Sequence, residues 1–257
     1  MPTKKSVKSV PVATNTPAQA DLSRHSVAQA DGGMGVYLKR IFALMFGALA
    51  LTAISSFATL QWGLPLVFNS DFTNYSGLFY VVMFGGLFLS IFAQARAFKM
   101  RPAMGGLLLA IYAIAMGFVI SPLVAFALGA NPASVLLAFI LTAIMFACMA
   151  LFGYRTTKNL GFLGTFLFIG MIGLVLAGIA GMFFHALLGG MFGIIVCVVG
   201  VLIFALFTAY DMQFLKKAYA AGGDDTTKNQ LAVLGALHLY ISFIAMFQYI
   251  LSLLNRR

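Results

Sequence analysis

Seven long apolar runs dominate the sequence and limit what it can fold into. They cover residues 41–62, 76–95, 103–128, 133–153, 160–181, 189–210 and 231–254. Each run approaches or exceeds the ~20 residues that a helix needs to cross a hydrocarbon core of ~30 Å. Because a chain in lipid must satisfy its own backbone hydrogen bonds, runs of this length predict helices. The sequence therefore predicts an all-α integral membrane protein, a bundle of seven transmembrane helices formed by residues 36–257.

The segment before the first run is different in composition. Residues 1–35 are rich in Ser, Thr, Ala, Gln and Pro and show no sustained apolar period. Such a composition predicts a disordered tail, here on the cytoplasmic side. No cleavable signal peptide is expected, since the first apolar run starts at Ile41 and is long enough to span and to anchor the chain.

The basic residues indicate the orientation of the bundle. Of the 16 Lys and Arg residues, fourteen fall in the tail and in alternate connections, on one predicted side of the membrane. By the positive-inside rule that side is the cytoplasm, which puts the N-terminus inside. Arg256 and Arg257 are the exceptions, so either the last run is re-entrant or the overall bias outweighs one terminal pair. The dispersed charges do not predict a nucleic-acid surface.

One carboxylate stands out against this apolar background. The chain has six acidic residues, all Asp, and Asp211 alone adjoins a membrane-length run. An ionisable group in a membrane helix costs up to ~2.5–3.5 kcal/mol at the helix centre, so Asp211 is a candidate functional residue. The alternative is an interfacial residue neutralised by Lys216 or Lys217 about one turn further on.

The last run carries polar and small residues in a helical pattern. Successive members of this set are four, three, four and three residues apart, so they share one helix face. The set consists of His238, Ser242, Ala245, Tyr249 and Ser252. We expect this face to lie toward Asp211. Its polar side chains either form interhelical hydrogen bonds or line a water-filled path. Asp211 is expected to bond Ser242 or His238, with Arg96 as the less favoured ion-pair partner.

Signatures of catalysis are missing from the sequence. It contains no GxSxG, HExxH or phosphate-loop motif, and Cys148 and Cys197 lack metal-ligand spacing. Asp211 with His238 is the only acid–base pair available in the apolar runs. We therefore expect no enzyme activity, no cofactor and no metal site.

Four stretches resemble the Bax inhibitor-1 family, also called the transmembrane Bax-inhibitor-motif proteins, in its bacterial branch. Tyr210-Asp211-Met212-Gln213 is similar to the family's Tyr-Asp-Thr-Gln motif. The other three follow the family's order: residues 117–122 (Gly-Phe-Val-Ile-Ser-Pro), 152–160 (Phe-Gly-Tyr-Arg-Thr-Thr-Lys-Asn-Leu) and 234–240 (Leu-Gly-Ala-Leu-His-Leu-Tyr). The resemblance runs from about Tyr37 to Arg257 and implies a bacterial inner-membrane protein with seven helices.

The resemblance also implies a function, with one departure. In the family two aspartates share a proton and are thought to gate a slow calcium leak, and coupled titration of like charges gives a physical basis for pH sensing. Here Ser242 stands where the second Asp is expected, and Ala245 replaces an Asn. If the carboxylate pair is the sensor, this chain should leak calcium weakly with little pH dependence, and Ser242→Asp should restore both.

Two classes of function follow from the resemblance. The first is a pH-modulated leak of cations, calcium or protons among them, through the bundle. The second is a binding role, because some bacterial members associate with a membrane AAA protease and restrain it. A liposome flux assay and a pull-down of membrane proteases would separate the two.

Overall fold

The computed structural model describes residues 17–69, 74–96, 99–183 and 190–256, without the side chains of residues 17–32 and 182–183. This part of the chain forms eight α-helices and a five-residue π-helical segment, Thr59–Gly63. The α-helices are α1 Pro17–Ala58, α2 Leu64–Val67, α3 Gly77–Arg96, α4 Pro102–Ala130, α5 Ala133–Arg155, α6 Gly161–Phe183, α7 Gly190–Ala220 and α8 Asp225–Leu254.

Seven helical stretches in this described part are long and apolar enough to cross a membrane, which confirms the predicted fold class. The first is Gly33–Val67, which joins the end of α1 to the π-helical segment and α2, and the others are α3 to α8. α8 is one continuous helix of 30 residues and is long enough to cross, which favours a full span over a re-entrant segment. The orientation of the bundle stays a prediction.

The predicted tail lies mostly outside the described side chains. Residues 1–16 fall outside the described residues, and α1 begins at Pro17 with side chains described from Gly33 onward. Disorder of residues 1–35 therefore stays a prediction. Tyr37 already belongs to the bundle, since it is buried and its ring lies 4.9 Å from that of Tyr219 in α7.

The last helix is the centre of the bundle. In an apolar 18-residue stretch of α8, 72% of the residues are buried inside the protein. The corresponding share for α6, at the periphery, is 11%. α8 packs against α7, α1, α4 and α5, whereas α6 packs mainly on α7. Any polar side chain on α8 is therefore removed from lipid by its neighbours, which is how the bundle tolerates one there.

Pro122 lies inside α4, as the sequence predicted. The proline has no N–H to donate, so the carbonyl of Phe118 loses its helical partner. Ser121 Oγ donates to that carbonyl at 2.8 Å and satisfies it locally. α4 consequently continues from Pro102 to Ala130 through the proline.

The connection between the last two helices is much shorter than the predicted segment 212–230. α7 continues to Ala220 and α8 starts at Asp225, so residues 221–224 alone join them. The hydropathy of the sequence ends the sixth run before Lys216, but lysine stems extend along a helix and carry the charge to the interface. The tight turn uses Gly222 and Gly223, whose φ angles of +83° and +140° other residues rarely adopt.

The fifth run carries Gly173, Ala177 and Gly181 at four-residue spacing, a pattern that predicts a close helix contact on that face. A Cβ on Gly173 would meet no atom within 4 Å, so Gly173 is not at a close helix contact. α6 instead approaches α7 through Gly164 and Gly170, where a Cβ would lie 2.9 Å from the Tyr210 ring and 2.8 Å from Ile203. Gly164 and Gly170 are six residues apart and do not follow the four-residue spacing, so the sequence pattern favoured glycines that lie outside this contact.

Candidate functional site

Asp211 and His238 meet inside the bundle. Asp211 lies on α7, nine residues before its end, and His238 lies on the antiparallel helix α8. His238 Nδ1 is 3.4 Å from Asp211 Oδ1, and the two side chains are 27% and 8% exposed, respectively. The predicted contact between Asp211 and the last helix is confirmed through His238. This contact is an ion pair when the imidazole is protonated.

The two lysines that could have neutralised Asp211 bind other groups. Lys216 Nζ donates to the Tyr154 carbonyl at 2.9 Å and lies 5.2 Å from the centre of the Tyr154 ring. Lys217 Nζ donates to Asn159 Oδ1 at 2.8 Å and to Gln213 Oε1 at 3.0 Å. The interfacial alternative, in which Asp211 pairs with these lysines, is therefore wrong.

Arg96 is not part of this contact. It ends α3, is exposed, and its guanidinium lies 5.6 Å from the centre of the Phe92 ring on the same helix. Among the described contacts, none joins Arg96 to Asp211. A long side chain at a helix end reaches the interface more cheaply than it reaches a buried partner.

Ser242 is buried but does not bond Asp211. The serine is 3% exposed, and none of the hydrogen bonds between described residues joins it to the carboxylate. It lies one turn beyond His238, about 6 Å further along the helix axis, which is too far for a short side chain. Of the two expected partners, the structure brings only His238 to Asp211.

The rest of the polar face of α8 lies along α7 and the neighbouring cavities. The Tyr249 ring lies 6.1 Å from that of Phe204 in α7 and covers Gly200, where a Cβ would come within 2.7 Å of it. Ala245 and Ser252 on this face are half-buried. The face is thus turned toward the sixth run, as expected.

The four-residue motif around Asp211 holds three parts of the protein together. Tyr210 packs on Gly164 of α6, Asp211 contacts α8, and Met212 is buried in the core. Gln213 accepts a hydrogen bond from the Leu160 backbone N–H at 2.9 Å and donates to the Lys158 carbonyl at 2.7 Å. Gln213 was named from the sequence only as part of the motif, without a role, although an amide at the end of an apolar run beside a polar connection is a signal for such a role.

A second polar cluster, also missed, joins α8 to α1 and α4. The Tyr240 and Thr52 hydroxyls are 2.6 Å apart, and Thr52 Oγ1 lies 3.0 Å from the Ala113 carbonyl. Tyr240 is fully buried, so these bonds satisfy a hydroxyl that lipid could not. The cluster fixes the rotation of α8, and thereby helps to set His238 against α7.

The chemistry available at Asp211 is that of a proton-exchanging pair. No group of three or more metal-ligating His, Cys, Asp or Glu side chains occurs in the described part of the chain. One carboxylate and one imidazole can attract a cation, bind a proton, or hold two helices together by charge. They do not offer the several oxygen ligands that calcium takes in a stable site.

This fold and site define a polytopic membrane protein with an acid–base pair inside its helix bundle. The sequence matches the family described as "Inhibitor of apoptosis-promoting Bax1" across residues 34–257. The chain therefore belongs to the Bax inhibitor-1 family, as its motifs implied.

Several bacterial proteins are similar in sequence to this chain. A protein of Caulobacter vibrioides is 35% identical over 222 residues, 85% of this chain and 86% of the relative. A membrane protein of Streptococcus pyogenes serotype M1 is 30% identical over 230 residues, 89% and 96% of the two chains. The inner membrane protein YbhL of Escherichia coli K12 is 36% identical over 129 residues, 49% and 53% of the two chains. With seven apolar helices, these similarities fit a multi-pass protein of a bacterial inner membrane.

Proposed function

We propose that this protein conducts a slow, pH-modulated leak of cations, calcium among them, and that Asp211 and His238 are its proton-sensitive element. The observation that carries the proposal is the 3.4 Å contact between a buried carboxylate and an imidazole on two neighbouring transmembrane helices. Membrane interiors hold ionisable groups mainly where these serve transport or proton exchange.

The pair replaces the two-carboxylate arrangement that the family resemblance implied. Ser242 cannot carry a charge, but histidine is the side chain whose charge ordinarily changes between about pH 5 and 8. A proton on the His238 imidazole places a positive charge 3.4 Å from Asp211, which strengthens the contact between α7 and α8. The leak should therefore decrease as the pH falls.

The absence of a second carboxylate sets the expected size of the leak. A single acid attracts a divalent cation more weakly than two do, since the Coulomb attraction scales with charge. Asp211 is the cation-attracting group of the proposed path, and His238 modulates it. Catalysis has no role in this proposal, and no cofactor is needed.

Calcium entry into liposomes that contain the purified protein and a calcium indicator tests the proposal. Asp211→Asn should abolish most of the flux, and Asp225→Asn, which removes an exposed carboxylate from the first turn of α8, should leave it unchanged. Equal flux for the wild type and Asp211→Asn would contradict the proposal. Capture of a membrane AAA protease by the wild type but not by Asp211→Asn, without any flux, would favour the binding role instead.

A further inference from the structure

A crevice opens along the side of the bundle between α4 and α6, away from Asp211. It consists of two adjoining cavities of about 250 and about 410 Å³, both lined by Val119, Leu174, Gly178, Gln248 and Tyr249. We call it the α4–α6 crevice. Cavities of this combined size are in the range of sites for small ligands, ~300–1,000 Å³.

The walls of the crevice are apolar and border the lipid. α3 contributes Phe84 and Leu87, and α6 contributes Val175 and Ile179, and all four side chains are between 36% and 40% exposed. Because α6 packs mainly on α7 and α3 mainly on α4, the two walls belong to helices at the edge of the bundle. A hydrocarbon chain can enter between them from the membrane.

Polar groups lie at one end of the crevice. The last two turns of α8 supply Gln248 and Ser252, and Arg256 follows two residues after the end of the helix. Arg256 carries the one charge among the described residues that line the crevice. This end coincides with the end of the α8 span at Leu254, where lipid headgroups begin. An apolar groove that ends in a cation and a hydroxyl matches an amphiphile with an anionic head.

The end of α8 lies against a second helix. Asn255 donates through Nδ2 to the Leu251 carbonyl at 2.8 Å. Its Oδ1 lies 3.3 Å from Ser134 Oγ in the first turn of α5, although the Ser134 hydroxyl makes its shorter bond, 2.7 Å, to the Asn131 carbonyl. The residue before Arg256 is therefore in contact with both α8 and α5, which restricts the backbone at Arg256 and lowers the entropy lost on binding.

We propose that the α4–α6 crevice binds one anionic phospholipid. The phosphate is bonded by Arg256, whose planar guanidinium matches phosphate oxygens in pairs, with Ser252 as an additional donor. One acyl chain lies along the walls formed by α3 and α6. This site is separate from the Asp211–His238 pair and does not depend on the proposed leak.

Native mass spectrometry of the full chain, with phosphatidylglycerol or phosphatidylcholine of identical acyl chains added to the detergent-purified protein, tests the site. We expect the wild type to retain one phosphatidylglycerol molecule. Arg256→Gln should lower this retention at least about tenfold. Arg96→Gln removes an exposed arginine from another helix end and should change nothing.

A second pair of variants tests the crevice itself. A Cβ at Gly178 meets no atom within 4 Å, and Gly178 lines the crevice, so Gly178→Phe should place a ring in the crevice and reduce lipid retention. Gly173→Phe is the matched control, because a Cβ there also meets no atom within 4 Å and Gly173 does not line the crevice. Equal retention of the two lipids by the wild type, an equal loss in Arg96→Gln, or unchanged retention in Gly178→Phe would each overturn the proposal. A lower stability of Arg256→Gln with unchanged lipid retention would also overturn the proposal. The role of Arg256 would then be to stabilise the C-terminal end of α8 through the helix dipole.

Discussion

Gly153 of α5 lies against the backbone of Ala209 in α7, so closely that a Cβ at position 153 would come within 2.1 Å of the Ala209 carbonyl oxygen. Two residues further along α7 is Asp211. This close contact between α5 and α7 lies beside the candidate site and helps to fix the depth at which the carboxylate faces α8. In membranes, helices pack by such small-residue contacts instead of by a hydrophobic driving force.

The first prediction concerns this contact. Gly153→Ala should lower the free energy of unfolding by about 1–3 kcal/mol or more, because backbone atoms of α7 cannot move aside as a side chain could. Unfolding in mixed detergent micelles measures it. Gly173→Ala, where the new methyl group meets nothing within 4 Å, is the control and should be neutral or slightly stabilising. Equal effects of the two substitutions would show that the close approach is unimportant.

The second prediction concerns Gln213. Gln213→Ala removes the bonds to Lys158 and Leu160 and should release the connection between α5 and α6, with faster hydrogen exchange at residues 156–161. Gln230→Ala provides a reciprocal control. Gln230 donates to the Met100 carbonyl at 2.8 Å, so its loss should affect the connection between α3 and α4 and not residues 156–161. Unchanged exchange in Gln213→Ala would contradict the assigned role.

The third prediction concerns the start of α8. Asp224 caps this helix by accepting from the Thr227 hydroxyl and, at 3.2 Å, from the Thr227 N–H, and these hydrogen bonds lower the pKa of the Asp224 carboxyl. A lowered pKa means that the cap stabilises the helix above the ordinary pKa of an aspartate and is lost as the pH falls through the lowered value.

We therefore expect the first turn of α8 to fray in acid in the wild type. Amide exchange at residues 225–228, corrected for the intrinsic effect of pH, measures this fraying. Asp224→Asn keeps an acceptor without a titrating group, so its exchange should not depend on pH in the acid range, whereas Asp224→Ala should be frayed throughout. An acid transition that persists in Asp224→Asn would assign it to another group.

The fourth prediction concerns orientation. Single cysteines at Asn69 and Thr226, both exposed, should be labelled from opposite sides of the membrane, with Thr226 on the cytoplasmic side. Cys148 and Cys197 are replaced by alanine in this background. Labelling of both positions from one side would disprove the seven-span topology, and labelling of Asn69 from the cytoplasm would reverse the orientation.

The number of spans and the helix that faces Asp211 could be predicted from the sequence, for different reasons. Seven runs of membrane length leave a chain little choice but seven helices. A lone carboxylate in such a run must find a donor on a facing helix, and His238 and Ser242 are the polar residues at a matching depth. The sequence could not choose between them, because the axial offset of α7 against α8 depends on packing such as Gly200 against Tyr249.

Helix ends and contact faces were less predictable. Hydropathy ends the sixth run near Tyr210, but the helix continues past Lys216 and Lys217 because both lysines find acceptors on the neighbouring connection and helix end. The role of Gln213 was missed for a related reason, since its partners are backbone groups that leave no trace in a hydropathy pattern. Likewise, small residues occur on more than one face of α6, and only the position of Tyr210 and Ile203 in α7 selects Gly164 and Gly170.

The pH dependence of calcium flux in liposomes, measured for the wild type, His238→Gln and Ser242→Asp, tests the central claim most directly. We expect wild-type flux to fall about fivefold or more as the pH is lowered from about 8 to about 5, and His238→Gln to remove this dependence while retaining flux. A His238→Gln protein that keeps the wild-type pH profile would show that His238 is not the sensor. So would a wild-type flux that does not change with pH and gains its pH dependence only in Ser242→Asp, because the two-carboxylate sensor would then be the one that operates.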